Sequence, residues 1–173
     1  MCTPAPAAFG WSRAANAELS FRRFTENDLP FLARVYASTR AEELAVTDWS
    51  DEQKASFLDA QFRAQHAHYQ QYYPAADWLV MTRGGEDIGR LYLERWPTQH
   101  RLIDIAFLPP YRGKGLGEAL LRDLMDEAAA AGKAVSIHVE KFNPAMRLYL
   151  RLGFKTEEDK GVHDLMRWTA PRD

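Results

Sequence analysis

The sequence predicts a mixed α/β domain built on one central, mostly antiparallel twisted sheet with one parallel pair, flanked by helices. Three observations predict it. Three strand-length runs, 78–83, 88–95 and 101–107, follow one another across short turn signals, which reads as an antiparallel meander. One strongly amphipathic helix, 117–131, lies between the third of them and a fourth run at 134–139, and two strands joined by a single crossover helix pair in parallel. The chain has 173 residues, 46% of them apolar and 27% charged, the make-up of one ordinary domain large enough to bury its own core.

Each element has its own signal. Residues 1–18 are rich in Ala, Pro, Ser and Thr without periodicity and read as a flexible N-terminal tail, so the single domain is expected over 19–170. Leu19 to Phe24 reads as a short strand, and Thr25 as a helix N-cap with Pro30 in the first turn of a helix running to Ser38. Ser50 and Gln53 have capping-box spacing. After them Leu58, Phe62, Gln65, Tyr69 and Tyr73 repeat at three to four residues until Pro74 ends the helix. The run from Gly84 to Asp87 turns the chain between the first two meander strands, and Pro109-Pro110 stops the third. Leu120, Leu121, Leu124, Met125 and Ala128 give the 117–131 helix one apolar face, and Gly132 stands where a C-terminal glycine belongs. Ala134 to Val139 is a strand, Pro144 to Leu152 a short helix stopped at Gly153, and His163 to Trp168 a closing strand.

Composition removes several function classes. The net charge is -2, with 10 basic and 13 acidic residues in the first hundred and 12 and 11 in the rest. Neither half has the basic excess used on nucleic acid or on anionic membrane surfaces. No apolar run approaches the roughly 18 residues of a membrane span. The start of the chain lacks the pattern of a secretory signal. The only cysteine is Cys2, which argues against a disulfide framework, a cysteine-based zinc site or a buried thiol nucleophile, and fits a cytoplasmic home.

The most informative stretch is Tyr111-Arg112-Gly113-Lys114-Gly115-Leu116-Gly117, between a strand and a helix. Glycines permit a turn that side chains block and let a ligand approach the main chain. The free N–H groups and dipole of the following helix make an anion site, and Arg112 and Lys114 add positive charge. A phosphate or pyrophosphate is the natural guest, and a tight turn that binds nothing is the alternative. A Walker A loop fails because position 108 is Leu and Gly115 follows Lys114. A dinucleotide fingerprint fails because Glu118 stands at its third glycine position.

Arg112-x-x-Gly115-x-Gly117, preceded by Pro109, resembles the acetyl-CoA motif of the GNAT (GCN5-related N-acetyltransferase) superfamily. Asn143-Pro144-Ala145-x-x-Leu148-Tyr149-x-x-Leu152-Gly153-Phe154 resembles its second cofactor motif. The two stand one helix and one strand apart, as in that family, and the resemblance covers residues 19–168. It implies the GNAT fold, with the parallel pair splayed around the pantetheine arm. It also implies acetyl-CoA as cosubstrate and transfer of an acetyl group to a primary amine; with no cysteine beyond Cys2 to carry the acetyl group, direct attack of the amine in a ternary complex is the expected route. By the same resemblance Ile105, Ala106 and Phe107 offer backbone hydrogen bonds to the arm, with an N–H near Phe107 polarising the thioester carbonyl. Arg112, Gly113, Lys114, Gly115, Leu116, Gly117 and Glu118 would cradle the pyrophosphate. Tyr149 matches the family's general acid, and packing in the core is its alternative. Asn143 matches a cofactor contact in a loop one residue shorter than usual, and starting the turn before Pro144 is its alternative.

His138 is the first candidate for a general base. It points to the opposite strand face from Ile137 and Val139, and the strand resembles that of the ribosomal-protein N-terminal acetyltransferases, which place a catalytic glutamate near this position. A structural or substrate-facing histidine is the competing reading, and Asp104 and Glu94 are weaker candidates. His66 and His68 are two apart on a helix and do not face each other, so no metal is expected. The acceptor is a small-molecule amine or a peptide N-terminus. Glu42, Glu43, Asp48, Asp51, Glu52 and Asp59 against Lys54 suggest an acidic rim for it, or simply a solvated helix start. Trp49, Tyr69, Tyr72, Tyr73 and Trp78 frame an amine or form core. Dimers are common among such chains, so a homodimer is an expectation by analogy. The competing functions are a non-catalytic acyl-CoA-binding or sensing module on the same fold, and a protein that binds another nucleotide at the glycine turn.

Overall fold

A computed structural model describes residues 10–172. The elements in chain order are α1 (Ser12–Asn16), β1 (Leu19–Arg23), α2 (Leu29–Ala45), α3 (Asp51–Tyr72), β2 (Asp77–Arg83), β3 (Glu86–Arg95), β4 (Gln99–Phe107), α4 (Leu116–Ala130), β5 (Ala134–Glu140), α5 (Met146–Leu152), β6 (Lys155–Asp159) and β7 (His163–Trp168). The seven strands form one sheet in the order β1-β2-β3-β4-β5-β7-β6. Every neighbouring pair is antiparallel except β4 and β5, which are parallel as the crossover helix requires.

The sheet separates two apolar clusters. On one face α4 lays Leu120, Leu121 and Leu124 against Leu91, Leu93, Leu102, Val135 and Ile137. Each of those leucines is essentially fully buried and contributes about 1.5–3 kcal/mol relative to exposure. On the other face α2 and α3 cover Val80 and Tyr92 with Leu32, Tyr36 and Phe62. The α3 start is capped as expected, with the Ser50 hydroxyl accepting from Gln53 N at 3.1 Å and Gln53 Oε1 accepting from Ser50 N at 2.8 Å.

Three expectations differ from the structure. The tail reading of residues 1–18 does not hold for its second half. Ser12–Asn16 is helical, Trp11 is buried edge-on against Phe21 with ring centroids 5.0 Å apart, and Ala14 N donates to Asp123 Oδ2 at 2.8 Å. Five residues are too few to show periodicity, and their anchor lies more than a hundred positions away. Residues 1–9, and with them Cys2, lie outside the described residues. The helix expected to end at Ser38 continues to Ala45. The strand β6, Lys-Thr-Glu-Glu-Asp, was not expected because every residue in it is exposed: it is a charged edge strand, and that composition carries no apolar alternation.

Candidate active site

The parallel strands hydrogen-bond over only part of their length. Gln99 to Leu102 of β4 pair with Ala134 to Ile137 of β5, and there the pairing stops. Farther on, β4 follows β3, with Phe107 opposite Gly89, while β5 follows β7, with Glu140 opposite His163. A fork therefore opens between Ile103–Phe107 and His138–Glu140. The register of β4 slips between Asp104 and Leu102, leaving Ile103 unmatched on β3. Such a bulge bends its strand and increases twist, which turns the end of β4 away from β5.

Antiparallel pairing engages alternate residues of β4. Leu108 N donates to Ile88 O at 2.8 Å. Leu108 and Ala106 therefore direct their backbone groups to β3, and Ile105 and Phe107 direct theirs into the fork. Of the three residues expected to present backbone there, Ala106 thus faces the other way. The Phe107 carbonyl accepts from Arg112 Nε at 2.9 Å, which leaves the Phe107 N–H for a ligand.

At the end of the fork stands the glycine turn. Gly113 and Gly115 have φ of +72° and +78°, in the left-handed region that penalises other residues, and Gly115 is the N-cap of α4. A Cβ on either would meet no atom within 4 Å, so conformation and not crowding selects glycine there, and the surface over the turn is open. Leu116 is buried, while Gly117 lies in the first helical turn facing the Phe107 ring. Lys114 is exposed. The Arg112 guanidinium does not reach over the turn: besides Phe107 O it holds Ser38 Oγ of α2 at 3.0 Å. Glu118 places a negative charge in the first turn of α4, where it would oppose an anion, but Arg151 and Arg122 pair with it. The hydrogen bond from Arg151 holds its carboxyl below the usual range.

Tyr149 comes from α5, is 3% exposed and meets Phe154 edge-on at 5.5 Å. Burial first, then the Asp104 carboxylate, push its phenol well above the ordinary value. Asp104 in turn accepts from Arg90 Nη2 at 2.6 Å and faces Tyr69 Oη at 3.5 Å. Arg90, 2% exposed, also donates to Gln65 Oε1 of α3 at 2.9 Å. Asn143 shapes the loop before α5, its Oδ1 accepting from Ala145 N at 2.9 Å, so the turn reading describes what its oxygen does.

His138 is the first residue of β5 beyond the pairing with β4, on the face opposite α4. Its Nδ1 lies 3.3 Å from Arg101 Nη1. A guanidinium has no acceptor, so Nδ1 accepts and the neutral ring carries its proton on Nε2. Burial and the Arg101 charge hold the imidazole below its ordinary value. The lone pair a base needs is thus already engaged.

The acidic rim is partly neutralised, Glu43 by Arg40 and Asp59 by Arg63. Tyr69 and Trp78 pack onto the α2–α3 cluster, whereas Trp49 and Tyr72 are exposed. His66 lies between the rings of Phe24 and Phe62. Sequence reading did not find Arg90, Arg101, Ser136 or Ser38. Strand alternation puts Arg101, Ser136 and His138 on one face, but only the register, Arg101 opposite Ser136, brings them together.

Residues 40–154 match the model of the acetyltransferase (GNAT) family. Among solved structures, the PaiA N-acetyltransferase of Thermoplasma acidophilum in complex with coenzyme A is similar at a TM-score of 0.66 and 19% identity, covering 88% of this chain and 99% of that one. PH1933 from Pyrococcus horikoshii OT3 is similar at 0.65 and 17%, covering 90% and 100%. YncA of Salmonella typhimurium, a putative acetyltransferase with its cofactor acetyl-CoA, is similar at 0.52 and 24%, covering 90% and 98%. These likenesses are of fold. The comparison with curated proteins finds no match.

Proposed function

The chain belongs to the GNAT acetyltransferase family, and from that premise we propose that it is an acetyl-CoA-dependent N-acetyltransferase acting on a primary amine by direct attack in a ternary complex. The observation that carries this reading is the fork: β4 and β5 part after Leu102 and Ile137, beside a glycine turn that opens a helix. The fork fits a pantetheine-length arm, since the backbone of Ile105 and the Phe107 N–H face it with no partner strand. The turn from Gly113 to Glu118 fits a pyrophosphate, since its glycines leave the helix N-terminus uncovered. Acetyl-CoA supplies the acyl carbon, whose bond to sulfur breaks as the bond to the amine nitrogen forms.

The chain's own groups do the rest. The Phe107 N–H is placed to polarise a carbonyl in the fork. Tyr149, protonated at every working pH, donates to the departing sulfur and passes its proton as negative charge develops there. A sulfur beside that buried phenol is likewise short of water and a stronger base than in solution, which keeps the transfer feasible. Asp104 lies on the α2–α3 face, within electrostatic reach of Tyr149, and is suited to orient the ammonium form of the acceptor. With Nδ1 of His138 engaged by Arg101, the acceptor's surplus proton leaves through water and not through that histidine.

Tyr149→Phe is the direct test. Loss of a positioned proton donor lowers kcat by about 10²–10⁴-fold, with affinity for acetyl-CoA retained. Full turnover in that variant removes the phenol from the mechanism. Acetyl-CoA binding without thiol release on any amine supports the sensing module instead.

A further inference from the structure

We infer that Arg101, its guanidinium oriented by His138, binds a carboxylate, so that the acceptor is an amine that also carries a carboxylate, as an amino acid does; this rests on the acyl-transfer reading above. Arg101 is 8% exposed, and its guanidinium forms no ion pair among the described residues. A buried cation with no hydrogen-bonded counter-charge is costly, and a bound anion would offset that cost. Its surroundings are built to hold it in place. Nε donates to Ser136 Oγ at 2.9 Å, Ser136 donates to Gln99 Oε1, and the guanidinium carbon lies 4.6 Å from the centre of the Trp96 ring. Glu94 stands opposite Arg101 in the β3–β4 register, yet the two form no hydrogen bond and Glu94 Oε2 is buried without one.

The position fits an acceptor and not the cofactor. Arg101 and Ser136 form the last polar layer of the paired strands, and His138 follows at the base of the fork. All three lie on the face opposite α4, whose N-terminus is the anion site. The guanidinium offers only donors, and the Nδ1 of His138 accepts from Nη1 and so fixes its plane. No hydrogen bond among the described residues takes Nη2, which leaves its N–H groups for a carboxylate oxygen. Asp104, held by Arg90 on the same face, supplies the opposite charge for the ammonium end.

The test uses matched pairs, each an amino acid and the amine left when its carboxylate is removed, with acetyl-CoA and thiol detection. The wild-type chain favours the amino acid in kcat/KM by about 10–100-fold, the worth of a charge-assisted hydrogen bond. Arg101→Gln collapses that ratio toward one, chiefly through KM. Arg101→Lys keeps the buried charge and retains part of the preference, and serves if Arg101→Gln does not fold. A wild-type preference for the plain amines overturns the inference. So does Arg101→Gln lowering both members of each pair alike, the outcome if Glu94 alone satisfies Arg101. Ring-nitrogen chemical shifts of His138 give a reading that does not depend on turnover. The expected result is an Nε2–H tautomer that shifts on adding the amino acid but not the amine, and a proton on Nδ1 overturns the pair. If acetyl-CoA binds and no amine is acetylated, the acyl-transfer reading fails while the tautomer still decides this one.

Discussion

Gly89 has no room for a methyl group. A Cβ there would collide with the Ala106 carbonyl oxygen and stand 2.9 Å from Met81 Cε. Its φ is ordinary, so the constraint is contact and not conformation. The closeness of β3 and β4 at this pair fixes which β4 residues turn their backbones into the fork. Gly89→Ala is therefore expected to cost about 1–3 kcal/mol, the range for forcing atoms into a packed site. A urea unfolding series reads it, and an unchanged midpoint would show that the strands can separate there freely. This role was not legible in the sequence, where Gly89 is one glycine inside a strand. Tyr149 was legible as a residue but not as an environment: the spacing names it, and only the fold shows Asp104 bearing on its hydroxyl. His138 illustrates the reverse. Alternation gave its face correctly, but its ring is committed by Arg101, thirty-seven positions earlier in the chain.

At the scale of elements, the turn and helix that would hold the phosphates depend on one backbone conformation. Gly115 caps α4 at φ +78° with open space around its α-carbon. Gly115→Ala thus pays no steric penalty from neighbours and is expected to cost about 1–2 kcal/mol from the left-handed backbone alone. If the turn binds pyrophosphate, the same change weakens acetyl-CoA binding. Calorimetric titration beside unfolding separates the two, and lost stability with unchanged affinity would make the turn merely structural. Elements with a local signature were readable: the Ser50 cap, the α4 stripe, and the parallel pair implied by the crossover. The α1 helix and β6 were not, since one is fixed by the distant Asp123 and the other is a charged strand whose only partner among the described residues is β7. The fork itself follows from the register at Leu102–Ile137 and the bulge at Ile103, which no local pattern announces.

For the whole molecule, protonation and folding are linked in one direction. His66, His100 and His138 are all held below the ordinary histidine value, burial being the first cause in each. The unfolded chain therefore binds protons that the folded chain refuses. Stability is complete above the unfolded value near pH 6.5 and falls as pH drops through it. Asp28, bound by Arg22, and Glu140, bound by Arg40, lie below the usual carboxylate range. Their contribution persists above about pH 4 and is lost below. Urea midpoints should decline in two stages between pH 7 and 3, and a flat profile from pH 7 to 5 would contradict the histidine assignment.

The central claim is that the fork and the glycine turn together receive acetyl-CoA. Thermal unfolding with acetyl-CoA, CoA, ATP and NAD at matched concentrations tests it most directly, because a ligand that binds only the folded state raises the apparent Tm by mass action. The account predicts a rise with acetyl-CoA and CoA well above that with ATP or NAD. No rise with either, in a folded sample, or a larger one with ATP or NAD, would contradict it.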